Sequence, residues 1–311
     1  MNARRNFIRT ATWGAASFSL PALSLNLPLE MNLPKISLAQ WSLHRAFQQG
    51  QLNPIDFPEI ALKEYNIPAV EYVNQFYKKQ RSNQKYWKEL RRKSEDLGVK
   101  NLLIMVDDEG LLGHSNPRKR RTALENHIRW VEAANLLDCH AIRVNAFGNG
   151  TTSQLKDQLV DSLSRLAQVS SEFGISVLIE NHGHHTSDAD FMTSIIKAVN
   201  HPGLGTLPDF GNWCLTADWG STQGGLCTDN YGPVRGVNAF LPWAKGVSAK
   251  SYDFDLLGNE TLLPYNELLK SVKEAGYAGY IGIEYEGNRL SEPDGIRATK
   301  ALVERIWTEL P

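Results

Sequence analysis

Three acidic residues stand where an acid is costly. Glu180 follows Val177-Leu178-Ile179, Glu284 follows Ile281-Gly282-Ile283, and Asp209 follows Leu207-Pro208. A carboxylate at the end of an apolar run loses hydration, so it must be paired or must ligate a cation. Brought to one place, the three would repel one another. A divalent cation resolves that repulsion, and hard oxygen donors suit Mn²⁺ or Mg²⁺. Two cations lie where packing hardly explains them: Arg143, in Ile142-Arg143-Val144-Asn145, and Lys250, within 247–251. Ion pairing of Glu180 and Glu284 with Arg143 or Lys250 is the structural alternative to ligation. For Asp209 the alternative is a helix N-cap just past a strand.

The elements that must carry these residues read as one repeated unit. Short apolar runs at 36–43, 69–73, 101–106, 141–145, 176–180, 205–209, 246–250 and 280–284 are expected to be strands. Helical periodicity fills the intervals. Leu124, Ile128 and Val131 recur within 121–137, and Leu155, Leu159, Leu163, Leu166 and Val169 share a face within 153–173. Gly98, Gly174 and Gly276 are placed to end helices just before strands. Eight strand–helix units, about 30–40 residues each, predict an α/β fold, a single (β/α)8 TIM barrel. A doubly wound sheet is the alternative, but no G-x-G-x-x-G opens a helix, and Gly148-Asn149-Gly150 reads as a plain loop. The stretch 220–238, rich in Gly, Asn and Pro, is expected to be a long surface loop over the active face.

In such a barrel, chemistry sits at the C-terminal ends of the strands. Those ends carry Gln40-Trp41-Ser42, Asp107-Asp108-Glu109, Arg143 with Asn145, Glu180-Asn181-His182-Gly183-His184-His185, Asp209-Phe210-Gly211-Asn212-Trp213, Ser248 with Lys250, and Glu284-Tyr285-Glu286. Glu286 is expected to face away or to lie in the following loop, and His184 and His185 to be solvated. Trp41 and Trp213 are candidates for stacking on a ligand face, with core packing the alternative for each.

These motifs resemble the xylose isomerase-like TIM-barrel family, the sugar phosphate isomerase/epimerase and endonuclease IV-like superfamily, over residues 35–305. The resemblance implies a metal set of Glu, Asp, His and Glu on strands five to eight. Glu180, Asp209 and Glu284 match it. The common His-x-Lys pattern aligns with Ser248-Ala249-Lys250, so Ser248 stands at the usual His position. Water, His182 or His184 would then complete the set, or the metal has been lost.

The implied function is a divalent-metal-dependent sugar isomerase or epimerase that abstracts a proton next to a carbonyl. Glu180 and Glu284 are the expected acid/base pair, with Lys250 and His182 stabilising the enediolate oxygen. Arg143, Asn145, Trp41, Asn212 and Trp213 are the expected substrate contacts. The same abstraction followed by loss of a β-substituent gives a lyase or dehydratase on a keto-sugar or keto-glycoside. A third reading is a non-catalytic periplasmic carbohydrate-binding barrel, which Ser248 favours. In every case the partner is a small-molecule carbohydrate, and the oligomeric state is left open.

Composition removes other classes. The chain has 311 residues, 33 Lys and Arg against 34 Asp and Glu, and 8 His. That balance gives no electrostatic basis for nucleic-acid binding, which draws on clustered surplus Lys and Arg. The run Pro117-Arg118-Lys119-Arg120-Arg121 reads as a solvated helix start. Arg4-Arg5-Asn6-Phe7-Ile8-Arg9, followed by an Ala-, Ser- and Leu-rich stretch, resembles a twin-arginine export signal. Residues 1–30 are therefore expected to be a cleaved signal and 31–311 an exported, periplasmic barrel with no membrane contact in its mature form. An amphipathic N-terminal helix is the alternative. Three cysteines are too few for a disulfide scaffold, although Cys214 and Cys227 could pair in an oxidising compartment.

Overall fold

The computed structural model describes residues 33–225 and 227–311. The expected export signal at 1–30 lies outside them. Eight parallel strands run in chain order: β1 Ile36–Ala39, β2 Ala69–Val73, β3 Lys100–Val106, β4 Ala141–Val144, β5 Ser176–Glu180, β6 Leu204–Leu207, β7 Val247–Ser251 and β8 Ile281–Tyr285. Hydrogen-bonded ladders join them in the order β6-β5-β4-β3-β2-β1-β8-β7. The remaining seam, β6 to β7, is made by the parallel bridges Thr206–Ala244 and Asp209–Ser248. The result is a single (β/α)8 barrel.

The helices are α1 His44–Gln48, α2 Phe57–Tyr65, α3 Gln84–Leu97, α4 Pro117–Leu136, α5 Thr152–Glu172, α6 Ala189–Val199, α7 Pro233–Phe240, α8 Tyr265–Glu274 and α9 Glu292–Glu309. Their starts follow capping chemistry. Thr151 and Gln154 form a reciprocal capping box on α5, and Asp188 accepts the Phe191 N–H at the start of α6. Gly98 ends α3 in the left-handed conformation, at φ 68°. The stretch 220–238 is shorter as a loop than its composition suggests, because Pro233 has the fixed φ of a first helical residue and starts α7.

Period-two alternation decides what each strand sends inward. Ile142, Val144, Val177, Ile179, Val247, Ala249, Ile281 and Ile283 belong to the main core between sheet and helices. Their neighbours face the barrel axis. A small apolar cluster of Ala39, Val73, Leu103, Met105, Ala141, Leu178 and Leu207 fills part of that interior. Further along the same faces, two residues on from Met105, Ala141, Leu178 and Leu207, come Asp107, Arg143, Glu180 and Asp209, joined by Lys250 and Glu284, all buried. The fold therefore spends apolar packing on one strand face and directs the ionisable residues to one mouth.

Candidate functional site

Glu180, Asp209 and Glu284 converge. Each offers one oxygen, and these oxygens lie within 4.8 Å of one another. They are 1%, 0% and 4% exposed. Ser248, near the start of β7, donates its hydroxyl to Asp209 Oδ2 at 2.6 Å and lies 3.1 Å from Glu284 Oε2. The position next to the seam is thus filled by a short neutral oxygen rather than an imidazole. His184 does not lean in to replace it, since its Nε2 contacts Asp218 Oδ1 at 2.8 Å in the next loop.

The two interior cations bracket the triad. Arg143 Nε lies 2.7 Å from Glu180 Oε2. Neither atom makes a well-aligned hydrogen bond there, so the contact is an ion pair with poor direction. Arg143 Nη1 also donates to Asp107 Oδ1. Lys250 Nζ donates to Asn212 Oδ1 at 3.1 Å and stands 3.3 Å from Glu284 Oε1, 3.3 Å from Glu286 Oε2 and 3.8 Å from Asp209 Oδ2. Glu286 lies just past β8, in the following loop as one reading of the sequence had it, but its carboxylate faces the site and not away from it. Two residues from Glu284, it continues the inward side of β8 one step past the strand's end.

His182 is held from behind. Asn145 Nδ2 donates to Asp107 Oδ1 at 2.7 Å, which turns its Oδ1 toward His182 Nδ1 at 2.6 Å. The imidazole Nδ1 then carries the proton and Nε2 keeps a lone pair. Asn74 fixes Asp107 in turn through a reciprocal pair with its backbone, at 2.9 and 3.0 Å.

Electrostatics follow from burial. Burial drives the Glu180 carboxyl well above the usual carboxylate range; Arg143 opposes the shift and Asp209 and Glu284 add to it. Burial also raises Asp209 to about 7, against the pull of Lys250. Lys250 rises well above the ordinary lysine value although burial works against it, because Asp209, Glu284 and Glu286 surround it. Burial, with Arg143 and Lys250 nearby, pushes His182 well below its usual value and keeps it neutral. Asp107 is held low despite burial, chiefly by Arg143, with the hydrogen bond from Asn145 adding to the effect.

These groups open onto a cavity of about 310 Å³, lined among others by Trp41, Trp219, His182, Lys250 and Glu284. Arg143 is also on its wall. Asn145 and Asn212 stand behind the wall and orient His182 and Lys250. Trp213 is in neither place. Its indole is fully buried, 5.3 Å from the Phe240 ring, and Gly236 on α7 leaves the space it fills. The aromatic residue that reaches the cavity from this loop is Trp219, six residues on. It stands edge-on to His182 at 5.1 Å. Cys214 and Cys227 form a disulfide across the same loop.

The donor set fits a divalent cation. Three buried carboxylates with mutually close oxygens, one of them lacking an aligned hydrogen bond, make an all-oxygen site of the kind that holds Mg²⁺ or Mn²⁺.

Comparison with known proteins agrees with this fold. Residues 60–306 match the family described as xylose isomerase-like TIM barrel. A D-tagatose 3-epimerase-like protein superposes with a TM-score of 0.66 at 20% identity, covering 88% of this chain and 98% of that one. The 3-keto-D-glucoside 4-epimerase of E. coli gives 0.63 at 14% identity, over 88% and 99%. A xylose isomerase-like TIM barrel protein from Mycobacterium smegmatis, in complex with magnesium, gives 0.61 at 15% identity, over 89% and 97%. At these identities the likeness is one of fold. Two relatives are closer in sequence over short stretches. The 3'-dehydrocarminate deglycosidase alpha subunit of a Microbacterium species is 36% identical over 77 residues, 24% of this chain and 22% of that protein. The C-glycoside deglycosidase alpha subunit of Microbacterium trichothecenolyticum is 34% identical over 111 residues, 34% of this chain and 29% of that protein. The matched stretches thus span less than a third of either relative's length.

Proposed function

The chain belongs to the xylose isomerase-like TIM barrel family, and from that premise we propose that it is a divalent-metal-dependent enzyme that abstracts a proton next to the carbonyl of a sugar or sugar derivative. The observation that carries this reading is the convergence of Glu180, Asp209 and Glu284 on one buried point beside a cavity. The cation that these three would hold supplies Lewis acidity to the substrate carbonyl.

The protein's own groups do the rest. A carboxylate of Glu180 or Glu284 takes the proton from the carbon next to the carbonyl; the electron pair of that C–H bond becomes the C=C bond of an enediolate, and the π pair of the carbonyl moves to its oxygen. Lys250, the cation nearest Glu284, donates to the developing oxyanion. The other carboxylate returns a proton to the opposite face or to the neighbouring carbon, giving the epimer or isomer. His182 Nε2, unprotonated while Nδ1 faces Asn145, accepts a substrate hydroxyl.

A second reading shares the first step. If the carbon beyond the enediolate carries a leaving group, its bond breaks instead of the carbanion being reprotonated, and the enzyme is a lyase on a keto-glycoside. The two deglycosidase relatives favour it. The Cys214–Cys227 disulfide supports the expectation of export to an oxidising compartment.

The test is solvent-deuterium incorporation into a panel of keto-sugars and 3-keto-glycosides, with Mn²⁺ or Mg²⁺ added. Exchange at the carbon next to the carbonyl is expected in the wild type, and its loss in a folded Glu180→Gln variant. Sugar binding with no exchange in any substrate would replace the enzyme by a binding barrel. Full exchange in Glu180→Gln would remove Glu180 from the mechanism.

A further inference from the structure

Six non-glycine residues among those described have positive φ, and five of them are Asn, Asp or His, which tolerate the left-handed region. The sixth is Trp219, at φ 61°. A bulky aromatic residue is an outlier there, and such strain persists only where the surroundings over-determine it.

The surroundings do so here. The Cys214–Cys227 disulfide closes the loop across a separation of 13 residues. Within it, Cys214 N–H donates to Gly220 O at 3.0 Å, and Leu215 N–H donates to Asp229 O, just beyond Cys227, at 2.8 Å. Asp218 bridges to Gly183 and receives His184 Nε2 at 2.8 Å. The two backbones touch because both contact positions are glycine. A Cβ on Gly183 would lie 2.5 Å from Ala217 O, and one on Gly220 would lie 2.5 Å from Gly183 N.

Packing does not explain what this arrangement presents. The Trp219 indole is 45% exposed. It meets Phe147 edge-on at 5.9 Å and His182 at 5.1 Å, and otherwise faces the cavity that Trp41 also lines. An exposed indole in an unfavourable backbone conformation contributes little to folding, whereas an indole covering a ligand contributes to binding.

We propose that Trp219 is a substrate-gripping residue, which covers the apolar C–H face of a sugar seated at Glu180, Asp209 and Glu284, and that the Cys214–Cys227 disulfide holds it in place. The proposal rests on the sugar-directed reading above. It makes substrate affinity depend on the oxidation state of a disulfide outside the carboxylate centre. Reduction of the bond by an added dithiol yields two thiols and frees the loop to relax toward an unstrained backbone.

Two measurements test it. In the first, Trp219→Ala is compared with wild type on the panel sugar that exchanges deuterium fastest. KM is expected to rise about tenfold with kcat within about twofold, which is loss of binding shared by ground and transition states, and Mn²⁺ affinity by calorimetry is expected to stay unchanged. An unchanged KM overturns the grip. In the second, acrylamide quenching of the fluorescence that Trp219→Phe removes is followed with and without dithiothreitol. Quenching is expected to increase on reduction and to be high and insensitive to reductant in Cys214→Ser/Cys227→Ser. Quenching that ignores both reduction and the double substitution overturns the tether. This arm needs no turnover, so it reads the tether even if the proposed reaction fails.

Discussion

Replacing Glu71 by Gln should stabilise the protein in alkaline solution and leave it nearly unchanged in acid. Glu71 points into the barrel from β2, is 2% exposed, and accepts a hydrogen bond from Ser37 Oγ at 2.6 Å. Its second oxygen has no partner. Glu284 and Arg143 are the charged groups that act on it from the other strands. Burial raises its pKa from 4.5 to about 7, Ser37 pulling the other way and Glu284 adding to the rise. A carboxyl whose folded pKa lies above its unfolded value favours the folded state while it is protonated. That contribution is complete below about 4.5 and is lost as pH rises through about 7. The shift corresponds to about 3 kcal/mol between the two limits. For a chain of this size that is about 6 °C in melting temperature. Glutamine keeps the shape and cannot ionise, so the melting-temperature gap between Glu71→Gln and wild type should open between pH 5 and pH 8. The scans belong in chelator-treated protein, because Asp209 and Glu180 also titrate high and both respond to bound cations. Comparing variant with wild type at each pH cancels those shared contributions. A gap that stays constant from pH 5 to pH 8 would refute the reasoning, since it would mean that Glu71 ionises alike in the folded and unfolded chain.

Other variants report on the site directly. Ser248→His adds a nitrogen donor between Asp209 and Glu284, so Zn²⁺ affinity by competition with a chelating dye should rise about tenfold or more, with a smaller gain for Mg²⁺; equal gains for both ions would count against the all-oxygen set as the determinant. Arg143→Met leaves Asp107 and Glu180 buried without their cation and should cost about 3–5 kcal/mol by urea unfolding at pH 8. Trp213→Ala should cost about 3–5 kcal/mol as a core cavity, whereas Trp41→Ala, on the cavity wall, should change stability little and weaken sugar binding.

The comparison of Trp213 with Trp219 marks what local sequence can and cannot carry. The strand ends were legible because a costly residue type betrays itself: Glu180, Asp209 and Glu284 each interrupt an apolar run, and period-two alternation sends all three to the axis. The same rule, applied two residues on, places Glu286 beside Glu284 and Asp107 beside Met105, so both were within reach of the sequence alone. Trp213 and Trp219 are different. Both follow β6 in one loop, and neither its composition nor its spacing separates them. Trp213 is buried because Gly236, on a helix that starts twenty residues later, leaves a notch where even a Cβ would lie 2.3 Å from the ring. Trp219 reaches the cavity because Cys214 is tied to Cys227 and Asp218 is tied to His184 and Gly183. Each outcome is set by a contact distant in sequence. The seam of the barrel obeys the same logic: β6 and β7 meet through two bridges, one of them Asp209–Ser248. The departure from the family's ligand pattern therefore sits at the closure point itself, where a side chain as short as serine lets Asp209 accept its hydroxyl across the seam. An imidazole there would have to point its nitrogen past Asp209 toward the ion, so exchanging serine for histidine tests the closure and the metal preference together.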